Sequence, residues 1–129
     1  MYQTSLRNFL LGLFISAAFT VNTTAAIAAD NERGREVFKL CAGCHSIEPG
    51  VNIFGPSLAG IFNRGAGKLE GYDFSDELGV VSFKWDTAHL DEWLKDEPKN
   101  MVAGTRMEFP GISDPASRAA LIGYLETLR

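Results

Sequence analysis

The chain has 129 residues, of which 46% are apolar and 22% charged, and its 12 basic against 16 acidic side chains give a net charge of −4. That length holds one small domain. The acidic balance argues against nucleic acid and anionic membrane surfaces as partners. Two cysteines leave no room for a disulfide framework.

In chain order, the amino terminus comes first. Residues 1–8 carry Arg7 and no acid, and Phe9 to Val21 is almost wholly apolar. The small residues Ala25-Ala26-Ile27-Ala28-Ala29 then precede the polar Asp30-Asn31-Glu32-Arg33. This three-part pattern predicts a secretory signal peptide over residues 1–29, cleaved after Ala28 or Ala29. No Arg-Arg pair is present, so the general export route is expected, and in a bacterium the periplasm. The rival reading is an uncleaved membrane anchor. Its apolar run of about 13 residues falls short of the ~20 that a spanning helix needs, so no stable membrane insertion is expected. Residues 30–129 then form one domain with 11 basic and 16 acidic side chains, a net charge of −5. A core of that size is marginal by area alone, so a buried apolar cofactor would complete it.

The first helix is expected from Asn31 to Cys44, with Gly34, Val37, Phe38 and Cys41 at the spacing of one helical face. Residues 46–80 are dense in turn formers, including Pro49-Gly50, Gly55-Pro56, Gly65, Gly67, Gly71 and Gly79. Only a short helical turn around Ser57 to Asn63 is expected there. A further helix starts at Asp86 or Thr87, carries Leu90, Trp93 and Leu94 on one side, and ends at Asp96, before Pro98. The last helix has Asp114 as N-cap and Pro115 at its first position, with Ala120, Leu121, Tyr124, Leu125 and Leu128 as its apolar stripe. Alternating strand patterns are absent, so the class is all-α.

Both cysteines fall in Cys41-Ala42-Gly43-Cys44-His45. A Cys-x-x-Cys-His run reads as a c-type haem attachment site. On a helical turn, sulfurs three residues apart share nearly one face. Each can then form a thioether to one vinyl group, with the following histidine beside the iron. A thioredoxin-like redox pair wants a βαβ setting that is missing here. A structural zinc site wants four ligands, and Cys41, Cys44 and His45 crowd together with only the distant His89 to join them. A disulfide across three residues is strained and closes almost no loop.

With His45 on the iron, a sixth position is open. The candidates are Met107, Met101 and His89. Met107 lies in the turn-capable loop Gly104-Thr105-Arg106-Met107-Glu108-Phe109 and is favoured; Met101 shares that loop. His89 falls near the start of a predicted helix, where a surface residue helping to cap it is the simpler reading. A Met/His pair raises the reduction potential.

The chain resembles a class I cytochrome c of the small, soluble bacterial type. The resemblance runs over residues 30–129 and rests on motifs in order. These are Gly34-Arg35-Glu36-Val37-Phe38, Cys41-Ala42-Gly43-Cys44-His45, Gly55-Pro56-Ser57-Leu58-Ala59-Gly60, Trp85, Gly104-Thr105-Arg106-Met107-Glu108-Phe109 and Leu121-Ile122-Gly123-Tyr124-Leu125. It implies a cytochrome c fold, with three main helices and short helical turns around one covalently attached haem c. It implies Cys41 and Cys44 as attachment points and His45 and Met107 as iron ligands. The Pro56 carbonyl would orient His45, and Arg64 and Trp85 would reach the propionates. Gly34 and the Gly123-Tyr124 pair would sit where the first and last helices cross. The chain also departs from the family pattern. Ala103 stands where a proline is usual, which removes a rigid turn residue from the methionine loop. Phe74 stands where a propionate-binding tyrosine is common, with Ser75 or Tyr72 as substitutes. Trp93 stands where a tyrosine near the methionine sulfur is common. The lysine-rich rim of the mitochondrial proteins is missing.

Two functional classes follow. The first is a monomeric, non-enzymatic electron carrier of the respiratory chain, with its iron cycling between ferrous and ferric. Its partners would be redox proteins: a periplasmic dehydrogenase, a cytochrome bc1-type complex or a terminal oxidase, with a basic or largely apolar docking face. The second is a haem enzyme or ligand sensor, peroxidase-like, with a displaceable sixth ligand and polar acid–base groups over it.

Overall fold

The computed structural model describes residues 23–129, so most of the expected signal peptide, residues 1–22, lies outside the described residues. Four α-helices follow in order: α1 (Thr23–Phe38), α2 (Asp76–Gly79), α3 (Thr87–Lys95) and α4 (Pro115–Thr127). A single 3₁₀ turn at Pro98–Asn100 lies between α3 and α4. Among the described residues no strand forms; Gly65 and Lys84 make an isolated antiparallel bridge. The all-α expectation holds.

The last two helices start where their capping residues place them. Asp86 accepts from the His89 N–H at 2.9 Å and opens α3. Asp114 accepts from the Ser117 N–H at 2.9 Å and opens α4, with Pro115 at its first position. A side-chain oxygen in that place satisfies a donor that the first helical turn leaves unpaired. α3 buries Leu90, Trp93 and Leu94, and α4 buries Ala120, Leu121, Ile122, Tyr124 and Leu125.

α1 and α4 cross closely because Gly34 has no side chain. A Cβ there would lie 2.2 Å from the Ala120 carbonyl oxygen and 2.6 Å from the Tyr124 Cβ. Phe38 and Tyr124 continue the contact, with ring centroids 5.6 Å apart. Gly123 does not take part. It is exposed, and a Cβ on it would meet no atom within 4 Å. The crossing is therefore built on one glycine rather than two. α3 joins this frame through Arg118, whose Nε donates to Asp91 Oδ1 at 2.7 Å and whose Nη1 donates to the Ile112 carbonyl at 2.8 Å.

Two expected elements differ in the structure. α1 spans Thr23–Phe38 rather than Asn31–Cys44. It begins early because the alanines of residues 25–29 are the strongest helix formers. It ends early because residues 39–41 switch to tighter i to i+3 bonding, Lys39 to Glu36, Leu40 to Val37 and Cys41 to Phe38. The segment Ser57 to Asn63 is also not a helix. It is a pair of turns closed by Ile61 N–H to Leu58 O and Arg64 N–H to Ile61 O. Gly60 and Asn63 hold left-handed backbone there, at φ 63° and 62°, and that stops a helix from propagating. The one short helix of the middle region, α2, lies later in the chain. Ser75 caps it, its hydroxyl oxygen accepting from the Leu78 N–H.

Candidate functional site

Between this frame and the irregular middle lies a cavity of about 530 Å³. Cys41, Cys44, His45, Pro56, Arg64, Trp85 and Met107 all line it. These seven residues span 67 positions of sequence, and the fold brings them to one place. Most of the remaining wall is apolar, including Leu58, Ile61, Leu78, Leu90, Leu94 and Phe109.

The cysteine segment is one tight turn. The Cys44 N–H donates to the Cys41 carbonyl at 3.0 Å, and the His45 N–H to the same carbonyl at 2.9 Å. This turn carries both sulfurs and the imidazole to the cavity wall. Neither thiol is paired in a disulfide. Burial, and then the neighbouring Cys44, pushes the Cys41 thiol up to about 11, so it stays protonated at neutral pH.

His45 is oriented from behind. Its Nδ1–H donates to the Pro56 carbonyl at 2.8 Å. A carbonyl oxygen only accepts, so the proton of a neutral ring sits on Nδ1 and the Nε2 lone pair stays free. Burial lowers the imidazole's pKa, and the bond to Pro56 partly opposes that. A neutral imidazole is the form that binds a metal. Gly55 makes room for the ring, since a Cβ there would lie 2.4 Å from His45 Cε1.

The loop that holds His45 is tied to itself. Ser57, 1% exposed, donates its hydroxyl to the Glu48 carbonyl at 2.7 Å. Asn52 Oδ1 accepts from the Ser57 N–H at 2.9 Å, and the Gly55 N–H donates to the Cys44 carbonyl at 2.8 Å. Arg64 donates from Nη1 to the Ala59 carbonyl and from Nη2 to the Ser57 carbonyl, each at 3.0 Å. Burial lowers its pKa too. A guanidinium has five donors, so Arg64 braces the loop and keeps others for a group in the cavity. The bracing roles of Ser57 and Asn52 were not foreseen; the Gly-Pro-Ser run was visible, but not which carbonyl the hydroxyl would find.

Met107 comes from the loop before α4. The Trp93 Nε1–H donates to its Sδ at 3.2 Å. Trp93 in turn packs edge-on against Trp85, with centroids 5.0 Å apart. Ala103 does not leave this loop loose. The Val102 N–H donates to the Pro98 carbonyl at 3.0 Å, Gly104 turns the chain at φ 92°, and the Arg106 guanidinium bonds the Asp73 carbonyl. The other candidates for a sixth ligand lie elsewhere. Met101 packs against the core outside the cavity wall. His89 stacks flat on Phe83, with its Nδ1 2.7 Å from Asp86 Oδ1, and does not reach the cavity. Asp86, not His89, caps α3. Tyr72 and Ser75 both line the cavity beside Phe74, and the Tyr72 hydroxyl donates to the Phe54 carbonyl at 2.9 Å.

This cavity fits a haem by the chemistry of its donors. It offers two thiols on one turn, an imidazole with a free Nε2 and a neutral thioether sulfur, within an apolar wall edged by a guanidinium. Among the described residues no three of His, Cys, Asp and Glu converge as an alternative metal cage.

A chain that brings these groups around one cavity in a helical frame is built as a class I monohaem cytochrome c. The profile of the cytochrome c family matches residues 31–129, and the chain belongs to that family. It is 45% identical to cytochrome c2 iso-2 of Magnetospirillum fulvum over 91 residues, 70% of this chain and 94% of that one. It is 38% identical to cytochrome c2 of Blastochloris viridis over 122 residues, 94% of this chain and 93% of that one. Among solved structures, cytochrome cH from Methylobacterium extorquens superposes with a TM-score of 0.71 at 44% identity, covering 76% of this chain and 98% of that one. The cofactor is accordingly one covalently attached haem c. The protein is a monohaem electron carrier whose partners are redox proteins. Among the described residues no helix is long and apolar enough to cross a membrane.

Proposed function

We propose that this protein is a periplasmic one-electron carrier with both faces of its iron closed by protein. Bound haem supplies an iron that cycles between ferrous and ferric. Cys41 and Cys44 would hold the haem through thioethers, and His45 Nε2 and Met107 Sδ would bind its iron. The Pro56 carbonyl keeps the His45 proton on Nδ1, and the Trp93 indole keeps the methionine sulfur aimed. Arg64 and Trp85 would face the propionates. With Met107 Sδ taking the position opposite His45, no site on the iron would be left for a substrate, and the protein's work is to move electrons.

The observation that carries this reading is that His45 and Met107 line the same cavity, each oriented by a hydrogen bond from a different element. Residues 1–29 are a leader removed after Ala28 or Ala29 on the general export route, and residues 30–129 are the working domain, a monomer. Donors and acceptors are a periplasmic dehydrogenase, a bc1-type complex or a terminal oxidase. The visible spectrum of the ferric protein tests the reading. A weak red methionine-to-iron band is expected at neutral pH, lost in Met107→Ala, which then binds added cyanide rapidly. A native protein that lacks the band and takes up cyanide at once contradicts it and favours an enzyme or sensor.

A further inference from the structure

The rim of the cavity carries an unusual amount of exposed apolar surface. Leu40 is 64% exposed, Val51 48%, Ile53 51% and Phe54 82%. Leu40 and Phe54 also line the cavity, while Val51 and Ile53 do not. The exposure of the last two is therefore independent of what fills it. Leu40 directly precedes Cys41, and the Gly55 N–H bond to the Cys44 carbonyl holds residues 51–55 against the cysteine turn. Over residues 40–58 Glu48 is the only side chain charged at neutral pH. Lys39, next to Leu40 in the chain, is paired with Glu36 at 2.6 Å, and Arg64, Arg106 and Glu108 are the charged side chains of the cavity wall.

The patch is also rigid. Tyr72 bonds the Phe54 carbonyl, Asn52 bonds the Ser57 N–H, and buried Ser57 bonds the Glu48 carbonyl. A loop whose backbone is held in place loses little entropy when it is covered, which favours binding through it.

We propose that Leu40, Val51, Ile53 and Phe54 form the docking surface for a redox protein whose own face is apolar and poor in charge. The inference rests on the carrier reading and adds the chemistry of the partner. The size of the patch selects the occupant. Val51 and Ile53 alone expose on the order of 200 Å² of apolar surface whatever fills the cavity, with Phe54 next to them in the chain, and contiguous apolar patches of a few hundred Å² on monomers are often functional. A lasting interface needs about 800 Å² per partner, whereas brief electron-transfer encounters use less. A transient redox partner therefore fits better than a second copy of this chain. With the patch nearly free of charge, docking gains little from Coulomb attraction, and the rate of electron transfer should depend weakly on salt.

The test uses the ferrous holo-protein and an unfractionated extract of the native host as oxidant, with ferricyanide as a small oxidant that needs no docking. The Val51→Ser/Ile53→Ser pair avoids the cavity wall, so its reaction with ferricyanide should equal that of the native protein. With the extract, the pair should react roughly tenfold more slowly, since a few anchors carry most of an interface's energy. The native rate should change less than about twofold between roughly 20 and 200 mM salt. An unaltered rate in the pair, or a native rate that varies steeply with salt, overturns the proposal. So does a native protein oxidised by ferricyanide and not by the extract. Sedimentation showing a dimer that the pair loses assigns the patch to a second copy instead. Binding to neutral phosphatidylcholine vesicles that the pair loses assigns it to lipid. If ferricyanide fails to oxidise the native protein, the carrier reading itself fails.

Discussion

The helical frame and the cavity wall are held together by different forces. Where α1, α3 and α4 meet, the contacts are apolar and close, with Leu121 fully buried and Gly34 pressed on the Ala120 carbonyl. The wall is made of irregular chain, and its order comes from single hydrogen bonds: Pro56 to His45, Ser57 to Glu48, Arg64 to two carbonyls and Trp93 to Met107. Burial is non-directional and supplies stability. Hydrogen bonds are directional and place donor atoms. Damage to the frame should therefore cost folding, and damage to the wall should cost the cofactor's environment.

The largest effect should come from the helix crossing. Gly34→Val puts atoms into a backbone carbonyl that cannot yield and should cost about 4 kcal/mol or more, read as loss of a cooperative urea transition. Gly123→Ala, on the same helix pair with open space around it, should instead stabilise by about 0.5–1 kcal/mol. Equal effects at the two glycines would break the distinction between contact and bystander.

The wall responds differently. Ser57→Ala should cost about 1 kcal/mol, because the buried hydroxyl's bonds to the Glu48 carbonyl and from the Ala59 N–H are lost, and should loosen the His45 loop. Trp93→Phe keeps the aromatic packing and removes one N–H donor. The methionine sulfur then gives more electron density to the iron, which favours the ferric state. The reduction potential should fall by about 40 mV, the equivalent of ~1 kcal/mol for one electron, with the urea midpoint barely moved. A potential unchanged in this variant, with stability lost, would make Trp93 part of the frame.

The smallest effects belong to the helix caps. The bond from the His89 N–H, then the one from its side chain, holds the Asp86 carboxyl below the ordinary carboxylate value. Ser117 does the same for Asp114, through its side chain and then its backbone. A folded value below the unfolded one adds stability above the unfolded pKa. That stability is lost as pH falls through the folded value. Asp86→Ala and Asp114→Ala should each lower stability at neutral pH, where the charged cap acts, and flatten the stability profile below about pH 4, where the native protein loses that contribution.

This division also decides what the sequence made legible. The frame's signals are local: a capping aspartate, a proline at the first helical position and an apolar stripe, and α3 and α4 fall where those signals put them. That Cys41, Cys44, His45 and Met107 share one cavity was legible as well, because the first three are adjacent in the chain and Met107 lies in a loop. The rest depended on long-range partners. Whether Gly34 or Gly123 meets the facing helix is set by the crossing register, which neither residue reveals. The turns at Ser57 to Asn63 depend on Asn63 in left-handed backbone, a state that an asparagine permits but does not announce. The exposed rim of Leu40, Val51, Ile53 and Phe54 reads as core material until the fold turns it outward.

Axial ligation by Met107 is the claim on which the rest depends, and proton NMR of the ferrous holo-protein tests it most directly. A methyl group fixed over the macrocycle is moved far upfield by the ring current. One such methionine methyl resonance is predicted, absent in Met107→Ala and retained in Met101→Ala. A resonance that survives Met107→Ala, or none in the native protein, would contradict the account.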